Sequence, residues 1–269
     1  MTQATPARER RRPGAMGAVV AIALNTFREG IRDRILYLLL VFALLLIAAS
    51  RFLSLLTVGD ESKIIKDLGL SAISIFGLLT SVFVGVSLLF KEIERRTVYT
   101  LLAKPVSRWQ FVAGKYAGLM TILAVNLVLM SALLAAILLF RGESPVPLLP
   151  AELLILVELA VVTAFAVLFS SFTSPILAAV GTAAIYVTGH LSWSFDLLKN
   201  RLPPGIGRTL CDVLHAVIPN LDRLDLKTAA VHALPALPGE ALWGAVYGLA
   251  YAAAVLILAA WRFSRRDFS

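Results

Sequence analysis

Long stretches of almost uninterrupted apolar residues constrain this chain more than any other feature of its sequence. An α-helix needs about 20 apolar residues to cross a bilayer core about 30 Å thick. Six stretches reach or approach that length, at residues 35–57, 68–90, 117–140, 153–170, 176–193 and 241–261. Arg51 and Glu158 are the only Asp, Glu, Lys or Arg residues inside them. The pattern predicts an all-α polytopic membrane protein with six transmembrane helices.

The composition excludes two other classes of protein. Hydrophobic residues make up 59% of the 269 residues and charged residues 16%. Soluble domains carry about 25% charged residues, so an ordinary soluble domain is excluded. A disordered chain needs low hydrophobicity and high charge, so it is excluded as well. Strands of a membrane β-barrel would alternate in polarity over about 10 residues, and these stretches do not.

The basic residues indicate the orientation of the chain in the membrane. Sixteen Lys and Arg residues lie in segments 1–34, 91–116 and 262–269, against three in the short segments 58–67 and 141–152. A further five lie in the long segment 194–240. Cytoplasmic loops carry the excess of positive charge, so both termini are predicted to be cytoplasmic. The net charge of +8 is therefore assigned to orientation and not to nucleic-acid binding.

Two segments outside the spans have patterns of their own. Residues 1–15 are predicted to be a disordered basic tail. From 16 to 34, Val20, Leu24, Phe27 and Ile31 form an apolar helical stripe, which predicts either a helix lying in the membrane interface or an extension of the first span. In the outer loop 194–240, a second stripe predicts a helix that Pro219 ends. Its members are Ile206, Leu210, Val213, Leu214 and Val217.

The cytoplasmic loop 91–116 is the most informative segment. It opens with four charged residues, continues through Leu101 and Leu102, and reaches Pro105, which ends a short amphipathic helix. Those charged residues are Glu92, Glu94, Arg95 and Arg96. The apolar side chains of this helix must be shielded from water, either by lipid headgroups or by a protein partner.

The spacing of six residues in and after this loop follows a recognisable pattern: Thr97, Leu101, Leu102, Pro105, Gly114 and Lys115. Ser170, Ser171 and Pro175 form a second matching passage between the fourth and fifth spans. In these residues, and in its layout over residues 16–269, the chain resembles the permease subunits of type-2 ABC exporters. Arg96 departs from the family, which often has Gly before the threonine.

The resemblance implies a function and a set of partners. Segment 92–102 would be a coupling helix that docks on a separate ATPase subunit through Glu92, Glu94, Arg95, Arg96, Thr97, Leu101, Leu102 and Pro105. Two permease subunits, identical or different, would work with the ATPase in a prokaryotic cytoplasmic (inner) membrane. ATP and Mg would be bound by the ATPase, since this chain has no Walker A loop: Tyr116 follows Gly114-Lys115, and Trp109 occupies the first glycine position. We expect no catalytic, cofactor or metal residues here.

Within the spans, four residues are candidates for the transport pathway or for helix packing. Glu158 is the one acidic residue in a span, and it either lines a polar pathway or has a structural role. Gly77, Ser81 and Gly85 form a small-residue stripe that permits close helix packing, within or between subunits. Gly244 and Gly248 form a similar pair in the last span.

Two other functions are compatible with a chain of six apolar spans. A secondary transporter is one, although the chain has no evident inverted repeat. An intramembrane protease is another, suggested by Gly69-Leu70-Ser71-Ala72 and His190. Cys211, the single cysteine, lies four residues before His215 and could bind a soft metal with His232, but these three ligands make an incomplete set.

Overall fold

The structure is a computed structural model that describes residues 15–55, 60–94, 107–192, 194, 205–232, 234 and 239–264. Helices form nearly all of these segments, and no strand occurs in them. In chain order they are α1 (Ala15–Gly30), α2 (Arg34–Ser54), α3 (Glu61–Glu94), α4 (Arg108–Phe140), α5 (Leu149–Ser170), α6 (Pro175–His190), α7 (Ile206–Val217), α8 (Lys227–Val231) and α9 (Glu240–Ser264). Two short 3₁₀ turns, Val146–Leu148 and Leu221–Leu224, precede α5 and α8.

Five helical segments in the described residues are long and apolar enough to cross a membrane: Arg34–Ser54, Glu61–Leu88, Arg108–Phe140, Val146–Ser170 and Glu240–Phe263. The predicted all-α polytopic membrane fold is therefore confirmed. Helix α6 matches the remaining predicted span but has 16 residues, which corresponds to about 24 Å of helix. That length is short of a bilayer core, so the count of six spans stays a prediction.

Two helices begin well before the apolar stretches that predicted them. Helix α3 begins at Glu61 and α4 at Arg108, whereas their apolar stretches begin at 68 and 117. An apolar stretch marks the part of a helix that fits the bilayer, but backbone hydrogen bonding continues into polar turns beyond it. A capping box between Ser107 and Gln110 starts α4, with the Ser107 amide donating to Gln110 Oε1 at 2.9 Å.

Helix α5 is the centre of the bundle. Of its most apolar window, 78% is buried, against 22% for each of α2 and α9. It packs against α3, α4, α6 and α9. A helix that is hydrophobic on every side is expected in such a central position. The outward faces of α2 and α9 are apolar, as lipid contact requires.

Helix α1 packs along the N-terminal half of α4. A Cβ atom on Gly114 would lie 2.7 Å from Ile22 Cβ, and one on Gly118 would lie 2.6 Å from Thr26 Cβ, so both glycines permit this close approach. Val20 and Leu24, from the predicted interfacial stripe, remain about half exposed. Phe27, from the same stripe, instead packs against the core of the bundle, so the stripe is exposed in only part of its length, at Val20 and Leu24.

The outer segment between α6 and α9 folds back onto the bundle. Helix α7 occupies the predicted position, and Pro219 follows its end. The Asn220 amide donates to the Tyr247 hydroxyl at 2.9 Å, and the Tyr251 hydroxyl donates to the Val217 carbonyl. Leu221 packs so closely on Gly189 that a Cβ there would lie 2.6 Å from its Cγ. These contacts fix the outer segment over the ends of α6 and α9.

Candidate functional site

Helices α3 and α4 are both longer than a membrane crossing requires. They contain 34 and 33 residues, which correspond to about 50 Å each, against a bilayer core of about 30 Å. The apolar stretch of α3 ends at Phe90, and the helix continues to Glu94. At the end predicted to be cytoplasmic, both helices continue past their apolar stretches, and segment 95–106 links them in the sequence.

The predicted coupling residues lie at this connection. Glu92 and Glu94 are in the last turn of α3, continuous with the span. The other six predicted residues lie outside the described residues: Arg95, Arg96, Thr97, Leu101, Leu102 and Pro105. The coupling helix as a separate element thus stays a prediction.

A buried polar contact lies near the opposite end of the bundle, which is predicted to be the outer end. Glu158 of α5 is 0% exposed, and its Oε1 lies 2.7 Å from Nε2 of His190, the last residue of α6. The second carboxyl oxygen is also buried, and the Tyr186 side chain lies beside the carboxyl group. A carboxyl and an imidazole in contact can share a proton, and burial strengthens their interaction.

Further polar residues connect this pair to the outer segment. The ring of Tyr186 contacts the His190 ring edge-on, with 4.6 Å between centroids. The Tyr186 hydroxyl lies 3.1 Å from Ser74 Oγ, and Lys227 donates to the same oxygen at 3.4 Å. Lys227 also pairs with Asp225 at 3.2 Å. A continuous set of polar side chains therefore runs from buried Glu158 to the outer segment.

These residues surround a cleft of about 290 Å³ between α3, α6 and the segment that begins α8. Its walls include Ser71, Ser74, Tyr186, His190, Asp225 and Lys227. We refer to it as the outer polar cleft. Polar and ionisable side chains inside a helical membrane bundle are costly and typically mark a functional site.

The comparison with known families decides the class of the protein. A family model described as ABC-2 family transporter protein matches residues 20–268, nearly the whole chain. The chain belongs to the ABC-2 transporter family. It is thus the membrane-spanning permease subunit of an ABC transporter, as the loop residues predicted. No curated protein matches the chain.

Membership of this family favours the ABC permease over both alternatives. Ser71 and His190, the residues of the protease hypothesis, do line the same cleft. However, His190 Nε2 faces Glu158, and no hydrogen bond between Ser71 and His190 appears among those of the described residues. A nucleophile and its base should lie within hydrogen-bonding reach.

The small-residue stripe of the permease packs within one subunit. A Cβ on Gly77 would lie 2.5 Å from Leu159 Cδ1, and Ser81 is hydrogen-bonded to Thr163 at 2.9 Å. Gly85 faces Ala166 at ordinary contact distance. Glycines Gly244 and Gly248 likewise bring α9 close to α5 and to the 3₁₀ turn Leu221–Leu224. In the described structure, all of these residues position α5, which carries Glu158.

The metal hypothesis involves one side chain that lies outside the described residues. Cys211 is buried in α7. The side chain of His215 is outside the description, and no group of three His, Cys, Asp or Glu residues that could hold a metal occurs elsewhere in it.

A network of charged residues joins the outer ends of α3 and α4. Arg141 pairs with Glu61 at 2.8 Å, and Lys66 pairs with Glu143 at 2.8 Å. Gly142, with φ of 77°, makes the left-handed turn that places Arg141 and Glu143 on either side of it. Burial opposes ionisation of Glu143, but hydrogen bonds from Lys66 and Ser62 outweigh it and lower the pKa of its carboxyl.

The sequence did not point to several residues of the outer polar cleft. Tyr186, Lys227 and Asp225 were not singled out, and His190 was considered only as a catalytic base. One signal was available: Tyr186 and His190 are four residues apart and therefore share one face of α6. The position of Lys227 depends on how the outer segment folds back, which no short sequence pattern records.

Proposed function

We propose that this permease couples ATP hydrolysis by a separate ATPase subunit to export of a substrate across a prokaryotic cytoplasmic membrane. ATP and Mg bind to the ATPase subunit, and this chain performs no hydrolysis itself. Two permease subunits act together, and both termini lie in the cytoplasm. The observation that carries the proposal is that α3 and α4 continue past their apolar stretches and are linked in the sequence by segment 95–106, whose residues resemble the coupling pattern of the family.

The helix contacts supply a route for the coupling. A movement of the coupling segment acts on α3, which continues without a break from Glu61 to Glu94. Along its length α3 is fitted to α5 at Gly77 and through the Ser81–Thr163 hydrogen bond. Because packed helices shift as rigid elements, a tilt of α3 is passed to α5 and to Glu158.

The outer polar cleft is the second part of the proposal. Donors and acceptors from α3, α6 and the outer segment line it, and Glu158, the one acidic residue predicted within a span, is buried in contact with His190 of its wall. We place the outer part of the translocation pathway here. Movement of α5 relative to α6 changes the Glu158–His190 contact and so alters access to the cleft.

Association with the ATPase subunit tests the coupling part. Replacing Leu101 and Leu102 by Asp puts two charges into a surface that becomes desolvated on docking, at a cost of several kcal/mol. The double variant should reach the membrane but fail to retain the ATPase on purification. Leu234→Asp is a matched control, because Leu234 is 55% exposed in the outer segment. Full retention of the ATPase by the double variant would contradict the proposed docking site.

A further inference from the structure

Two hydrogen bonds between side chains join α3 to its neighbours in the middle of the bundle. The side-chain amide of Asn126 in α4 donates to Thr80 Oγ1 at 3.2 Å. Ser81 Oγ lies 2.9 Å from Thr163 Oγ1 of α5. These four residues are between 0% and 4% exposed, and each lies in the middle third of its helix. Adjacent residues of α3 therefore bind two different helices.

The direction of each bond follows from the hydroxyl protons. Thr80 donates its proton to the Phe76 carbonyl at 2.8 Å. Thr163 likewise donates to the Leu159 carbonyl at 2.7 Å. Each threonine oxygen is thus left as an acceptor, so Ser81 is the donor to Thr163. Because a hydrogen bond weakens steeply when its two atoms are displaced, these contacts fix the register of α3 against α4 and α5.

A third contact joins α4 to α5. The Tyr116 hydroxyl of α4 donates to the Ala160 carbonyl at 3.1 Å, within one turn of Thr163 on α5. Every pair among α3, α4 and α5 is therefore joined by a hydrogen bond. Such bonds hold membrane helices together where lipid removes the hydrophobic driving force. We refer to the four buried side chains as the central polar layer: Thr80, Ser81, Asn126 and Thr163.

Helix α6 is attached differently. Among the residues that the structure describes, the side-chain hydrogen bonds from α6 to α3 and α5 lie at the outer polar cleft, where they end on Ser74 and Glu158. Thr182, buried in the middle of α6, donates to a carbonyl of its own helix. These contacts allow α6 to separate from α3 and α5 at the cleft while the central polar layer stays intact.

The apolar contacts between α3 and α5 fix their register less strictly. Gly77 and Gly85 lie on either side of the central polar layer along α3, and they face Leu159 and Ala166 of α5. Packed helices can slide by small amounts over contacts of this kind. The hydrogen bonds are therefore the part of the interface that resists sliding.

We propose that the central polar layer makes α3, α4 and α5 move as one unit against α6, so that a displacement of the coupling end of α3 reaches the outer polar cleft. Its four members are positioning residues for transport. Ser74, on the wall of the cleft, lies about 9 Å along α3 from Thr80. Without the layer, α3 slides over α5 and the displacement is lost before it reaches Ser74. The inference rests on the proposed coupling to an ATPase subunit.

The labelling rate of a cysteine in the cleft measures the delivered displacement. Ser71→Cys, on the cleft wall, is introduced into a chain in which Cys211 is replaced by Ala. The complex with its ATPase subunit is placed in nanodiscs and treated with a polar maleimide, either free of nucleotide or trapped with ATP and vanadate. The labelling rates should differ about threefold or more, because the populations of the two cleft states change. Equal rates would overturn the inference, whereas copurification and ATP hydrolysis would still support the coupling.

Substitutions in the layer test its role in the same assay. The double variant Ser81→Ala, Asn126→Leu removes both donors with little change of volume, so the labelling rate should no longer depend on nucleotide. The ATPase subunit should still copurify. Thr163→Ser keeps the hydroxyl and should keep the wild-type response. Thr182→Val is the matched control, because its buried hydroxyl bonds within α6. A wild-type response in the double variant would overturn the inference.

A covalent link tests the same claim without loosening the bundle. Ser81→Cys and Thr163→Cys replace two oxygens that are 2.9 Å apart, and oxidation joins α3 to α5. Because these helices move as one unit, ATP hydrolysis by the complex should be equal before and after oxidation. Ser74→Cys and Lys227→Cys, bridged across the cleft by a short bifunctional thiol reagent, should instead slow hydrolysis. Hydrolysis that stops when α3 is linked to α5, and returns on reduction, would overturn the inference.

Discussion

The contact between Glu158 and His190 gives the sharpest prediction about the outer polar cleft. Glu158 is fully buried, and its Oε1 lies 2.7 Å from His190 Nε2, so the contact is a short hydrogen bond. Such bonds contribute about 1.5–3 kcal/mol. Glu158→Leu leaves the imidazole without its partner and should lower the free energy of unfolding by about 1–3 kcal/mol. Glu158→Gln keeps a hydrogen-bonding group of the same size and should cost less.

A double-mutant cycle isolates the contact from other effects of each substitution. The variants are Glu158→Leu, His190→Leu and the pair, and the measured quantity is the free energy of unfolding of the purified chain. Groups in direct contact show a coupling of about 0.5–3 kcal/mol, and a value near zero would refute the contact. Asp222→Asn is the control for loss of a carboxylate, since Asp222 is exposed in the outer segment.

Transport by Glu158→Gln then separates a pathway role from a structural one. If Glu158 lines the pathway, the variant should assemble and hydrolyse ATP with its partner, yet export less substrate or export it with a changed pH dependence, because Gln does not titrate. The assay is export from proteoliposomes, with ATP hydrolysis measured on the same preparation. Wild-type export at every pH would show that Glu158 only supports the packing of α5 and α6.

Three further predictions concern packing, electrostatics and topology. Gly77→Ala should lower the free energy of unfolding by about 1–3 kcal/mol, because its Cβ would clash with Leu159. Gly85→Ala makes only ordinary contacts and should leave the same free energy almost unchanged. Glu143→Gln should lower the free energy of unfolding by about 1 kcal/mol at pH 7, because it removes the charge that pairs with Lys66. Since folding lowers the Glu143 pKa, this loss should shrink as the pH falls below the ordinary value of that pKa, and a pH-independent loss would contradict the ion-pair network. In a background without the native cysteine, an impermeant thiol reagent should label Leu234→Cys but not Ser107→Cys in intact cells; the reverse would invert the topology.

The sequence predicts most of the fold because membrane insertion depends on local composition. Five of the predicted spans correspond to helices of sufficient length, since an apolar stretch can satisfy its backbone in lipid only as a helix. The stretch 176–193 gave a shorter helix than expected. Helix α6 begins at Pro175 and ends at His190. The side chain of His190 contacts Glu158.

The outer polar cleft was only partly predictable. The burial cost of a carboxylate made Glu158 stand out in the sequence, but its partner depends on the rotation of α5 against α6. Lys227 and Asp225 are more than thirty residues from His190 and reach the cleft through the fold of the outer segment. Such pairings between distant segments are set by tertiary packing, which leaves no periodic pattern in the sequence.

Dependence on a separate ATPase is the central claim, and purification of the tagged chain from its native membrane tests it most directly. An ATPase subunit should copurify and the complex should hydrolyse ATP, whereas the chain produced alone should hydrolyse none. Loss of the partner in the Leu101→Asp, Leu102→Asp variant should remove the ATPase activity from the purified material. ATP hydrolysis by the isolated chain, or ATP-independent transport without any partner, would contradict the account.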